Sequence, residues 1–285
     1  TGLLAGTPVF AGASDKACEV LGAGCLTPNT ASVSCGTTAT INTTYENYLE
    51  TRPFIPPYPA AMPGHFNCEV QVFRGYWMVS WFKKEFGHPE RQKAELNHES
   101  EESYLDDLGR DIAPGSDGLV LQPLWNPGLG DVGPEARGSI IGFNDGHTRA
   151  HLYRALLEGL AYALREGKER IEKRSKIPIK RLQVSGGGSQ SDVVMQILAD
   201  VMNLPADRPS TFEASGLGAA IIGAVSLGYY SDFHAAAKAM TGVTKTFSPH
   251  PQNVESYDKL FCTVYTKQYE RLKPLYIALE QLRNN

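Results

Sequence analysis

The sequence of 285 residues predicts one α/β domain, β-rich at its start and helical at its end. Three observations carry this reading. Leu182 and Val184 alternate with polar neighbours as in a strand, and three glycines, Gly186, Gly187 and Gly188, then turn the chain into a helix. That helix shows in Val193, Val194, Ile197, Leu198, Val201 and Met202, which share one face at helical spacing before Asn203-Leu204-Pro205. Earlier, two β-rich arms over 31–35 and 38–43 flank Gly36-Thr37. Between these regions a long amphipathic segment, 148–175, repeats Leu152, Leu156 and Leu160 at spacing four.

The remaining elements follow in order. Residues 7–13 read as a short strand or extended segment, and 15–21 as a helix ended by Gly22-Ala23-Gly24. The proline- and aromatic-rich stretch 47–67 reads as an irregular excursion, and 71–73 as a strand. A helix over 76–86 is expected to bury Trp77, Trp81 and Phe82. The charged segment 91–110 reads as a solvated helical face. Strands are predicted over 118–123 and 139–143, with a Gly/Pro loop over 126–137 between them. Thr148 is the candidate N-cap of the long helix. The strand 180–185 leads to the glycine turn, where Ser189 is the candidate N-cap and Asp192 the acidic half of a capping box. Helices are predicted over 216–227, 233–240 and 254–281, the first built of small residues suited to close packing.

Composition narrows the function classes. The chain is 42% hydrophobic and 20% charged, as in an ordinary globular protein, and its net charge of −4 argues against nucleic acid as a partner. The longest apolar stretch, 217–230, is short and carries three glycines, so a membrane span is not expected. No signal-peptide pattern is read at the start. Cys18, Cys25, Cys35, Cys68 and Cys262 are odd in number and form no CxxC pair. They read as reduced core residues of a cytoplasmic protein rather than disulfides or zinc ligands. The chain opens on Thr1, and its first residues look like the middle of a protein, which predicts a fragment.

Four features carry chemistry. The glycine turn and the helix after it present backbone N–H groups with no side chains in the way, a surface that suits a nucleotide or simply makes a tight βα turn. It is not a P-loop, because no GK[ST] follows, and a dinucleotide fingerprint fails at Ser191, where the third glycine would stand. Asp15, at the start of a helix, is either a general base for a substrate hydroxyl or a helix-capping carboxylate. Gly36 and Thr37 either approach a terminal phosphate or make an ordinary hairpin turn. The run 213–220 either packs beside a nucleotide base or forms a tight helix pair. His98, His147 and His151 show no metal pattern with a third ligand and read as surface or capping residues, and no metal site is expected. Trp77, Trp81 and Trp125 either stack on a sugar or serve core packing or an interface, and the packing or interface reading is preferred. The apolar segment 54–58 is a candidate contact for a homodimer or a neighbouring domain.

In this order the features resemble the C-terminal domain of the FGGY family of carbohydrate kinases, over nearly the whole chain. TPVFAGASDKACEVLGAG resembles the segment that opens that domain and holds its catalytic aspartate, and SVSCGTTATINT its phosphate-binding hairpin. GSIIGFNDGHTRAHLYRALLEGLAYAL is similar to the family's C-terminal signature, departing conservatively at Phe143 and Leu156. SGGGSQSDVVMQILADVMNLP resembles its adenosine-binding turn and helix, and EASGLGAAIIGAVSLGYY the helix that follows.

The resemblance implies an actin-like ATPase (ribonuclease H-like) domain with a mixed sheet flanked by helices, filling 1–285. It implies transfer of the γ-phosphate of Mg-ATP to a sugar or polyol hydroxyl, so ATP and Mg²⁺ are the expected cofactors. Carried over by motif, Asp15 is the base, Gly36 and Thr37 contact the ATP phosphates, and Gly186, Gly187, Gly188 and Ser191 line the adenosine pocket. The family's N-terminal domain, with its DxGT-type loop and most sugar-binding residues, has no counterpart here: Cys35-Gly36-Thr37-Thr38 lacks the aspartate. The chain therefore reads as the ATP-binding half alone, inactive without that domain. A ketose such as xylulose is preferred as substrate on overall resemblance. The alternative is a nucleotide-gated interaction module on an actin-like fold, which has no use for a base at Asp15. A dinucleotide-dependent oxidoreductase is disfavoured by the broken glycine pattern.

Overall fold

A computed structural model describes residues 2–126 and 132–284 of the chain. Seven strands form one sheet in the order β3-β4-β2-β1-β7-β8-β9. At its centre, β1 (Thr30–Cys35), β2 (Ala39–Tyr45) and β4 (Phe66–Val72) run as an antiparallel meander. The strands β7 (Arg181–Ser185) and β8 (Ala206–Pro209) lie parallel to β1. Short antiparallel edges, β3 (Tyr58–Pro59) and β9 (Val243–Phe247), complete the mixed sheet. A separate hairpin joins β5 (Val120–Gln122) to β6 (Ser139–Ile141).

Strand alternation sorts the two faces. Val33, Ile41, Val70, Leu182 and Val184 are buried in the main core, against the long helix α5 (Arg149–Ser175) and α6 (Asp192–Met202). The opposite face bears Ser32, Ser34, Asn42 and Ser185, all buried and polar. Glu19 of α1 (Asp15–Gly22) reaches that face, its Oε1 accepting a hydrogen bond from Ser185 Oγ at 2.9 Å. The helix α5 starts as the sequence predicts, with a capping box between Thr148 and His151. Helices α9 (Pro251–Leu260) and α10 (Thr266–Asn284) run on through a π-helical turn at Phe261–Tyr265.

The small-residue helix is a tight helix pair. In α7 (Ala214–Ser226), a Cβ on Gly218 would sit 1.9 Å from Cys18 O, and one on Gly22 would sit 1.9 Å from Ala214 O. The two backbones touch where side chains would stand. Gly22→Val is therefore expected to destabilise the chain by about 2 kcal/mol or more in urea unfolding. Gly216→Ala, on the same helix with open space around it, should stay within about 1 kcal/mol of the parent. Equal effects would refute close packing as the reason for these glycines. Beyond α7 lies α8 (Phe233–Met240).

Several expectations are corrected. No strand forms over 7–13, which is largely exposed. The strand placed at 71–73 is the end of β4, which begins at Phe66. The helix α2 (Trp77–Phe86) buries Met78 and Phe82, while Trp77 and Trp81 are half-buried. The segment 91–110 is two helices, α3 (His88–Asn97) and α4 (Glu101–Arg110), separated where His98 turns left-handed at φ 55°. Leu105 and Gly109 are buried, so α4 is not a solvated face. Four cysteines are buried, but Cys262 is exposed. Ser191 caps α6, accepting from Val194 N at 3.1 Å, whereas Ser189 is buried and donates to Gly186 O. In the apolar segment 54–58, Phe54 is 95% exposed, but Tyr58 turns inward and donates to Asn42 Oδ1 at 2.8 Å. Part of the loop predicted over 126–137, residues 127–131, lies outside the described residues. Among the described residues no helix is long and apolar enough to cross a membrane.

Candidate functional site

The parallel strands β1 and β7 end side by side, at Cys35 and Ser185, and each feeds a glycine-containing turn. The first turn, Gly36-Thr37-Thr38, returns the chain into β2 with Cys35 opposite Ala39. Its carbonyls receive the start of α2: Tyr76 N donates to Gly36 O at 3.1 Å and Trp77 N to Thr37 O at 3.4 Å. The second turn, after β7, has Gly186 at φ 80° and then one 3₁₀ turn, Gly187–Gln190, before α6. Crevices at the carboxyl ends of parallel strands are where α/β sheets hold ligands.

The three glycines do different things. A Cβ on Gly186 would meet the Cys35 backbone at 3.0 Å, and one on Gly188 would meet Cys35 Cβ at 2.8 Å and the Tyr76 ring at 3.0 Å. Both positions are needed for the turn to lie on β1. Around Gly187 there is nothing within 4 Å of the Cβ position. This is the glycine that leaves room for a ligand. Burial pushes the Cys35 thiol up to about 12, so it is a protonated core group and no nucleophile.

A groove of about 710 Å³ opens over this surface. Gly36, Thr37, Gly187, Gly188 and Ser191 all line it. Gly186 is not part of the lining; it holds the turn against Cys35. The opposite wall comes from α2 and α4, with Trp77, Ser80, Lys83, Ser103 and Asp106. Lys83 is paired with Glu101 at 3.2 Å and Glu102 at 2.5 Å, which ties the two helices together. Asp106 accepts a hydrogen bond from Ser191 Oγ at 2.5 Å, tying α4 to the first turn of α6.

Asp15 lies outside this groove. It is the first residue of α1, exposed, with Ser14 as the N-cap, and its Oδ1 accepts from Lys16 N at 2.7 Å. One turn further, Glu19 is pinned to Ser185 at the end of β7. That contact and the α1–α7 pairing put the N-terminus of α1 at the same end of the sheet as both glycine turns. His147 and His151 act as local caps: Asn144 N donates to His147 Nδ1 at 2.9 Å, and Thr148 N to His151 Nδ1 at 3.1 Å. Trp81 packs edge-on against Trp125. Among the described residues no group of three His, Cys, Asp or Glu side chains is placed to hold a metal ion.

Sequence reasoning missed Glu19, Lys83 and Asp106. For Glu19 the signal was a carboxylate one helical turn after Asp15 in a segment that, Lys16 apart, is otherwise small and apolar. For the α4 wall it was Leu105 and Leu108, an i, i+3 apolar pair within the charged run.

Residues 31–227 match the model of the FGGY family of carbohydrate kinases, C-terminal domain. The chain is 35% identical over 259 residues to a sugar kinase of Escherichia coli strain K12, covering 90% of this chain and 52% of that protein. It is 31% identical over 293 residues to the xylulose kinase of Bacillus subtilis strain 168, covering 100% of this chain and 55% of that protein. Among solved structures, the xylulose kinase of Rhodospirillum rubrum superposes with a TM-score of 0.82 at 28% identity, over 97% of this chain and 54% of that one. The fold is thus the actin-like ATPase fold of these kinases, and the chain spans about half the length of the relatives it matches.

Proposed function

The chain belongs to the FGGY family of carbohydrate kinases, and from that premise we propose that it is the ATP-binding half of an enzyme that phosphorylates a hydroxyl of a sugar or polyol. The observation that carries this reading is the open space at Gly187, in the turn after β7 and beside the turn that follows the parallel strand β1. A bare backbone there lets a nucleotide lie directly against the N–H groups of the turn. Gly36 and Thr37 take the phosphate end, and Gly187, Gly188 and Ser191 the adenosine side of the groove. Mg²⁺, arriving with the nucleotide rather than held by a cluster of side chains among the described residues, would supply charge neutralisation for the transferring group.

Asp15 is the base in this reading. Its exposed carboxylate, fixed at the N-terminus of α1, takes the proton of the attacking hydroxyl. Phosphoryl transfer depends chiefly on positioning, and one half of an interdomain cleft positions a nucleotide but not a sugar. We place the sugar-selecting residues in an opposing N-terminal domain, as expected from the half-length match. The relatives include xylulose kinases, gluconokinases and a glycerol kinase. A ketose such as xylulose is the favoured substrate, and the enzyme would work in the cytoplasm, where ATP is supplied.

The test is calorimetric titration of the chain with Mg-ATP, repeated with Gly187→Val. The valine has room in the fold but stands in the groove, so it is expected to abolish binding while leaving the unfolding transition in place. Binding that survives the valine would remove this turn from the nucleotide site. No binding by the unaltered chain would overturn the nucleotide reading.

A further inference from the structure

The geometry points to Asp106 as a specificity-determining residue that reads a ribose hydroxyl of the bound nucleotide. The inference rests on the nucleotide reading of the groove and assigns one of its ends.

Position comes first. Asp106 lines the groove from α4, and its carboxylate meets Ser191 Oγ at 2.5 Å. Ser191 closes the glycine turn, its N–H donating to Gly188 O at 3.2 Å. The carboxylate therefore stands beside the residues assigned to the adenosine side of the groove. A group there is within reach of the sugar that carries the phosphates, whereas the base extends further. Carboxylates placed next to a glycine turn read ribose hydroxyls in dinucleotide folds for the same reason.

Charge gives the same direction. The only cation lining the groove among the described residues is Lys83, and Glu101 and Glu102 both pair with it. With Asp106 added, the α2–α4 wall is net negative. That wall repels phosphates and favours neutral groups that donate hydrogen bonds. The Gly36-Thr37 turn is the phosphate end, and the hydroxyl-bearing sugar falls between it and that wall.

Acceptor capacity is sufficient. Ser191 uses Oδ1, and the two oxygens of a carboxylate offer about four lone-pair sites, so a hydroxyl can be accepted without releasing Ser191. Burial raises the Asp106 carboxyl above its ordinary range, the hydrogen bond from Ser191 opposing that shift. Ser191 is thus both the cap of α6 and the strut that aims the carboxylate.

The experiment compares ATP with 2′-deoxy-ATP and 3′-deoxy-ATP by calorimetry on the chain. One of the deoxy analogues is expected to bind about tenfold or more weakly to the unaltered protein, the effect of losing a hydrogen bond to a charged acceptor. In Asp106→Ala that ratio should fall to about one, and Asp106→Asn, which keeps an acceptor oxygen, should recover part of it. Ser191→Ala removes the cap but not the carboxylate, so it should weaken ATP and the analogues together and keep a ratio above one. A purely structural Asp106 would lower all affinities and leave the ratio unchanged, which overturns the inference. Loss in Asp106→Ala of the preference for ATP over inosine triphosphate, with the deoxy ratio intact, would overturn it in favour of the base. In both cases the nucleotide reading stands, because ATP still binds the unaltered chain. If ATP does not bind the unaltered chain, that reading fails and the inference with it.

Discussion

Replacing Asp15 by Asn is expected to lower the rate of sugar phosphorylation by about 10²- to 10⁴-fold, the usual contribution of a positioned general base. The measurement is ADP release in a protein that joins this chain to the opposing domain proposed above. ATP affinity should be unchanged, because Asp15 lies outside the groove. Stability should be nearly unchanged too. The side chain is exposed, Ser14 remains the N-cap through Ala17 N at 3.2 Å, and Asn keeps an oxygen for Lys16 N. The same variant separates the kinase from a nucleotide-gated module on this fold. A module of that kind would keep its ATP-dependent behaviour intact in Asp15→Asn, since it moves no substrate proton.

The largest expected effect on stability lies elsewhere, at Glu158 in the middle of α5. Its carboxylate is 1% exposed and satisfies four groups. Gly115 N and Ser116 Oγ donate to it at 3.0 and 2.9 Å, Arg154 Nε at 2.7 Å, and Tyr257 OH at 2.8 Å. The first two hold a turn in which Gly115, Ser116, Asp117 and Gly118 all have positive φ, strained for Ser116 and Asp117. Arg154 is itself 7% exposed. Glu158→Ala would leave a buried guanidinium without its counter-charge and release the strained turn. A loss of about 3–5 kcal/mol in urea unfolding is expected, the range for breaking one side of a buried ion pair. Glu169→Ala, which removes an exposed partner of Arg165, should cost no more than about 1 kcal/mol. Comparable losses in the two variants would mean that Glu158 is not the keystone of this network.

Most of the element order was legible because it rests on short-range signals. Helix periodicity found α5 and α6, and Gly36-Thr37 between β-forming arms found the hairpin of β1 and β2. What escaped had no local signature. The strand β8 reads Ala-Asp-Arg-Pro, and Asp207 is tolerated at 1% exposure only because Arg181 and Thr246 on neighbouring strands reach it. The strand β9 is exposed along most of its length, so it lacks an apolar alternation. The break at His98 is a left-handed residue that no glycine announces.

By itself the sequence determined the α/β class, the family resemblance, the two glycine turns and the helix that starts at Asp15. These are consequences of side-chain periodicity and of glycine sterics, properties that neighbours along the chain set among themselves. Only the tertiary structure decided which glycine is open to a ligand: Gly186 and Gly188 are occupied by Cys35 and Tyr76, and Gly187 is free. It alone turned a charged helix into a groove wall, put Asp106 on Ser191, and anchored α1 through Glu19. Those facts depend on contacts between residues 85 and 166 positions apart. Such contacts follow from how the sheet and helices pack, and no local pattern encodes them.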